Sequence, residues 1–143
     1  MIFGQTDVGS VRAENQDAYR VGLLSQGVRY AVVCDGMGGA AGGSVASRLA
    51  ADLIEERLKS GYRENMSEKS LLRMLETTIA AANALVYDEA MADADLRGMG
   101  TTAVVVVVRG DTVFTAHIGD SRIYLVNDDM IQLTTDHSVV QEM

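Results

Sequence analysis

Arg29-Tyr30-Ala31-Val32-Val33-Cys34 runs directly into Asp35-Gly36-Met37-Gly38-Gly39-Ala40-Ala41-Gly42-Gly43, and this junction organises the chain on either side of it. The first part is a β-branched and aromatic run of the kind buried in strands. The acid and glycines that follow predict a loop from Asp35 to Gly43. From Ser44 the period changes. Val45, Ala46, Leu49, Ala50, Leu53, Ile54 and Leu58 recur on one helical face, with Lys59 in the last turn and Gly61 as a stop, so a helix of about four turns is expected.

Further along, Ser67 is placed as an N-cap for a second helix. Leu71, Leu75, Ile79, Ala82 and Val86 carry its apolar face, and it is expected to run to about Ala92. After Gly98 and Gly100 the period switches to that of strands. Ala103 to Val108 is a continuous β-branched run, Gly110-Asp111 can close a two-residue hairpin, and Thr112 to Ile118 returns. Gly119-Asp120 and Asn127-Asp128-Asp129 are further turns, which separate Arg122–Val126 from Met130–Leu133 and predict an antiparallel meander. Two helices between two groups of strands, without regular alternation, give an α+β domain rather than a doubly wound parallel sheet.

The whole of 1–143 reads as one domain. Ser138-Val139-Val140-Gln141 matches a capping box, yet the chain stops at Met143. One helical turn is not stable alone, so the sequence reads as cut off at the start of an element, with the natural domain expected to continue.

Composition narrows the function. Hydrophobic residues make up 48% and charged residues 22%, enough for a core. A formal net charge of -8 repels a phosphate backbone, so nucleic-acid binding is not expected and cations are the more natural partners. The longest apolar run, Ala103 to Val108, is far short of the ~20 residues a membrane span needs. The start lacks a basic region followed by an apolar stretch, and Cys34 is alone, so a cytoplasmic, reducing location is expected.

Asp35 at the tip of a buried strand, followed by backbone without side chains, can offer carboxylate and carbonyl oxygens to a hard cation such as Mg²⁺ or Mn²⁺. Arg12 offers a planar fork suited to phosphate, and Asp17 is a second acid able to reach the same cation or its waters. Asp120 reads as a tight-turn residue bonding nearby amides, and Asp136 as a helix cap. Several other phosphate chemistries fail on spacing. Position six after Cys34 is Ala40 rather than an arginine, position two after Asp35 is Met37 rather than a second acid, and no Gly-Lys-Ser/Thr loop is present. Gly36, Gly38 and Ala41 fit a relaxed dinucleotide-binding pattern, but the helix after them leads into another helix, and Asp35 would sit beside the pyrophosphate.

Five segments in order resemble the PPM family, the metal-dependent type 2C protein serine/threonine phosphatases, and particularly its bacterial members. They are Thr6-Asp7-Val8-Gly9 with Arg12 and Asn15-Gln16-Asp17; Val33-Cys34-Asp35-Gly36-Met37-Gly38-Gly39; Gly100-Thr101-Thr102-Ala103; His117-Ile118-Gly119-Asp120-Ser121-Arg122; and Leu133-Thr134-Thr135-Asp136-His137-Ser138. The resemblance implies a sandwich of two antiparallel β-sheets flanked by antiparallel helices, with two Mg²⁺ or Mn²⁺ ions in a cleft at one end.

By position, the resemblance has Asp35 bridging the ions, the Gly36 carbonyl binding one, and Asp17 holding metal-bound water. Arg12 would clamp the substrate phosphate, and Asp136 stands where a third, weaker metal binds. The implied partner is a phosphoprotein substrate of a serine/threonine kinase. Met37 departs from relatives that carry a histidine as general acid after Asp-Gly. The family's further C-terminal metal aspartates have no counterpart here, so weak Mn²⁺ binding and poor turnover are expected of this chain, with exposed sheet edges inviting dimers. A phosphatase-like regulatory or interaction fragment is the alternative from another class.

Overall fold

The computed structural model describes residues 1–39 and 42–137. Residues 1–16 form an irregular arm, followed by strands β1 (Asp17–Leu23) and β2 (Arg29–Met37). Helices α1 (Gly42–Gly61) and α2 (Glu68–Ala92) come next, then β3 (Gly100–Thr101), β4 (Ala103–Arg109), β5 (Thr112–Ile118), β6 (Tyr124–Val126) and β7 (Met130–Gln132). The larger sheet has the order β1-β2-β4-β5, with β3 continuing beside the far end of β2, and β6 and β7 form a separate two-stranded sheet. Every pairing is antiparallel. The α+β reading is therefore correct, and the dinucleotide-type crossover is not formed among the described residues.

The helices cover one face of the larger sheet. Along β2, Tyr30, Val32, Cys34 and Gly36 are buried in alternation, and Ala18, Ala103, Val105, Val107 and Phe114 join them on that face. α1 contributes Ala46, Ala50, Ile54 and Leu58, and α2 contributes Leu71, Leu75, Ala82 and Val86. The Ser67 hydroxyl accepts from the Ser70 amide at 3.1 Å, which caps α2 as its sequence predicts. Gly110, with φ of 63°, closes the β4–β5 hairpin.

Four details differ from the sequence reading. β1 carries no strong apolar pattern, because it is an edge strand with mostly half-buried residues. β2 does not stop at Cys34 but continues to Met37, since Asp35 pairs with Asp17 and Gly36 with Thr101. α1 starts at Gly42, two residues earlier than Ser44. The last four strands do not make one meander: the chain turns away at Gly119, whose φ is 98°, and the β6–β7 hairpin stands apart. The Ser138–Gln141 capping box lies outside the described residues.

Candidate metal centre

The site is built where the first residue of β1 meets the last residues of β2. Antiparallel register sets Asp17 directly opposite Asp35, so both carboxylates project to the same side of the sheet. Asp35 shows the consequence. Its carboxyl pKa is pushed up from 3.8 to about 6, first by loss of surrounding water, then by a hydrogen bond to Asp17 and by the charges of Asp17 and Asp120; the Arg12 guanidinium opposes this. Two acids held face to face and short of positive charge are the condition that a divalent cation relieves.

The irregular arm is held by a short network that aims Asp17. The Asn15 side chain donates to the Thr6 hydroxyl at 2.8 Å and accepts from the Asp17 amide at 3.0 Å. The Asp7 carboxylate accepts from the Gly9 amide at 2.7 Å, in a turn whose Gly9 φ is 77°. The Gln16 carbonyl accepts the Gly36 amide at 2.9 Å, and its side chain donates to the Gly38 carbonyl at 3.2 Å. Gly36 is buried against the start of α1, where any Cβ would collide with the Gly43 carbonyl. The glycines after Asp35 thus serve close packing of strand, arm and helix.

Asp7, Arg12, Glu14, Asp17, Asp35 and Gly36 line one cleft of about 220 Å³. Arg12 makes no hydrogen bond or ion pair among the described residues, and its charge bears on Asp35. Arg12, Asp17, Asp35 and Gly36, all singled out from sequence, are therefore together. Asp136 is elsewhere. Its carboxylate is gripped by Arg122, with Nη2 to Oδ2 at 2.6 Å and Nε to Oδ1 at 3.0 Å, and it also accepts from Gln132 at 3.2 Å. Arg122 holds the Asp136 carboxyl below the usual range.

Around Asp136, the segments His117–Arg122 and Leu133–His137 are knitted to each other. The two histidine rings stack with centroids 4.8 Å apart, and the His137 amide donates to the Gly119 carbonyl at 2.9 Å. Asp120, in the turn that begins at Gly119, adds its charge to those bearing on Asp35. Asp120 was read from sequence as a turn residue bonding amides, whereas no side-chain hydrogen bond of Asp120 is formed among the described residues. The signal that would have found it is its place in the His117–Arg122 motif rather than any local pattern.

The residues present fit a divalent cation in kind, since they are oxygen donors, and the Asp35 carboxyl among them is crowded by other acids. They are few: among the described residues no group of three or more histidine, cysteine or acidic side chains converges to hold a metal.

A family model described as protein phosphatase 2C matches residues 9–140. The chain belongs to the protein phosphatase 2C family. It is 37% identical over 140 residues to the serine/threonine phosphatase stp of Listeria innocua, covering 97% of this chain and 55% of that protein. It is 34% identical over 140 residues to the serine/threonine protein phosphatase PstP of Mycobacterium tuberculosis, covering 97% of this chain and 25% of that one. Among solved structures, serine/threonine phosphatase Stp1 from Staphylococcus aureus superposes with a TM-score of 0.88 at 34% identity, over 96% of this chain and 54% of that one. The catalytic domain of PstP in complex with two manganese ions matches with a TM-score of 0.81 at 34% identity, over 96% and 56%. The chain thus spans about half the length of most of the curated relatives it matches, and the helix-flanked antiparallel sheet is the part of the phosphatase 2C fold that it forms.

Proposed function

We propose that the protein hydrolyses phosphoserine and phosphothreonine in proteins with divalent cations, Mn²⁺ or Mg²⁺, held at the Asp17–Asp35 end of the sheet. The observation that carries this reading is the facing pair Asp17 and Asp35 in one cleft with Arg12. When bound, the cations supply an activated water and neutralise charge on the transferring phosphoryl group. Asp35 and Asp17 donate oxygens to the cations or their waters, the Gly36 carbonyl is a further candidate, and Arg12 presents its fork to the phosphate oxygens. Met37, next in the strand, cannot donate a proton, so protonation of the leaving group falls to water or another group. A third-metal role for Asp136 requires it to leave Arg122, and Asp120 stands nearer the acidic pair.

The same reading includes a cytoplasmic location and a serine/threonine kinase that supplies the substrate. No helix among the described residues is long and apolar enough to cross a membrane. Because the acids at the site are few, the 143-residue chain is expected to bind Mn²⁺ weakly and to turn over p-nitrophenyl phosphate poorly. Rapid Mn²⁺-dependent turnover by this chain would refute the ligand-poor site. The sparse ligand set also favours a second reading, a phosphatase-like interaction module without catalysis. Failure to bind Mn²⁺ at millimolar concentration, with the fold intact, would select it.

A further inference from the structure

Thr102 sits between β3 and β4, directly across from Asp35 in the register set by Gly36 with Thr101 and Val33 with Val104. Residues so paired normally exchange two backbone hydrogen bonds or none. Here the Thr102 amide donates to the Asp35 carbonyl at 2.9 Å, but the Asp35 amide donates to the Thr102 hydroxyl, also at 2.9 Å, instead of its carbonyl. The same hydroxyl lies 2.6 Å from the Ser121 hydroxyl. Thr102 is almost fully buried, at 5% exposure. Its methyl group packs under Gly119, where a Cβ would come within 2.7 Å of it. One side chain therefore bonds the backbone of Asp35 and grips, by both its methyl and its hydroxyl, the turn that carries Asp120.

Resting on the cation reading given above, we infer that Thr102 and Ser121 form a hydroxyl couple that positions the Asp120 turn against the Asp35 strand and so sets the spacing of the carboxylates offered to the cation. Both are positioning residues, since neither presents its hydroxyl to the cleft lined by Arg12, Asp17 and Asp35. The ladder alone does not need the couple: a valine at 102 fills the same volume and keeps the amide bond to the Asp35 carbonyl. What it loses is the acceptor for the Asp35 amide and the link from strand to turn, which joins residues 19 positions apart; Ser121→Ala loses the link alone. Loss of the link frees Asp120 to move away from the pair.

The experiment is a Mn²⁺ titration followed by electron paramagnetic resonance on the wild-type chain and on Ser121→Ala, Thr102→Val, Thr102→Ser and Asp35→Asn, each with a melting curve. Ser121→Ala should bind Mn²⁺ about fivefold more weakly, the size of one lost hydrogen bond, and Thr102→Val, which loses two, more weakly still. Thr102→Ser, which keeps the hydroxyl, should bind as wild type does, and Ser121→Ala should melt as wild type does. If Ser121→Ala binds Mn²⁺ like wild type while Asp35→Asn does not bind, the couple is refuted and the cation site stands. If Ser121→Ala loses thermal stability in proportion to its Mn²⁺ affinity, the couple is structural only and the inference is equally refuted. If Asp35→Asn or wild type shows that position 35 takes no part in Mn²⁺ binding, the cation reading falls, and the inference with it.

Discussion

In the proposed cation site, Asp35 is the carboxyl whose ionisation the fold disturbs. Its pKa of about 6 in the fold, against 3.8 ordinarily, means that the charged form is disfavoured there. A raised folded-state value contributes stability below the ordinary pKa, and this is lost as pH rises through the raised one. The metal-free chain should therefore lose stability between pH 4 and 6 through this residue, and Asp35→Asn should remove that dependence. Thermal melts in chelator across this range check it. The same proton competes with the cation, so Mn²⁺ affinity of the wild-type chain should rise as pH climbs through about 6 and level off above it. A flat affinity from pH 5 to 8 would contradict this. Asp17, Asp35 and Arg12 were legible in the sequence because acid, glycines and arginine occur in recognisable order. The local reading of Asp120 as bonding nearby amides is not met among the described residues, and Asp136 pairs with Arg122. Which of them nears Asp35 depends on where the chain goes after β5, and that depends on the Thr102–Ser121 contact together with the stacked histidines and the Arg122–Asp136 pair, contacts that no local window contains.

Among the elements, β2, α1 and α2 were readable because each buries one face and has a clear period, whereas β1 at the sheet edge buries little and leaves no such signature. The junction of β2 with α1 is the demanding part. Gly36 is pinned by the Gly43 carbonyl and the Gln16 carbonyl at once, so Gly36→Ala must push the arm or the helix away. It should cost about 1–3 kcal/mol, as overpacking does, and weaken Mn²⁺ binding beyond what the stability loss explains. Urea unfolding combined with Mn²⁺ titration measures both, and an unchanged affinity would show that the junction does not aim the site. Farther from the cleft, Leu75 of α2 is fully buried in the core. Leu75→Ala should destabilise the chain by about 2–5 kcal/mol while leaving the cation affinity of the folded protein as it was. The two substitutions together separate elements that aim the site from elements that only hold it up.

At the scale of the whole molecule the two faces of the larger sheet are unequal. The helices cover one; the other carries Leu23 at 61% exposure, Val33 at 45% and Val113 at 42%, and the hairpin β6–β7 adds Val126 and Met130, each at 68%. Apolar side chains on an open sheet face, with β1 and β5 as unpaired edges, favour association with another chain. The 143-residue chain is therefore expected to dimerise as its concentration rises, which light scattering over a hundredfold range of concentration should register as a growing mass. Val33→Lys places a charge in the middle of that face, two residues from Asp35 on the same strand but without a contact to the helix-side core. It should shift the chain toward monomer and leave the melting temperature largely unchanged. If the wild-type chain stays monomeric throughout, the open face is tolerated by solvent, and edge or face pairing plays no part in how this chain behaves.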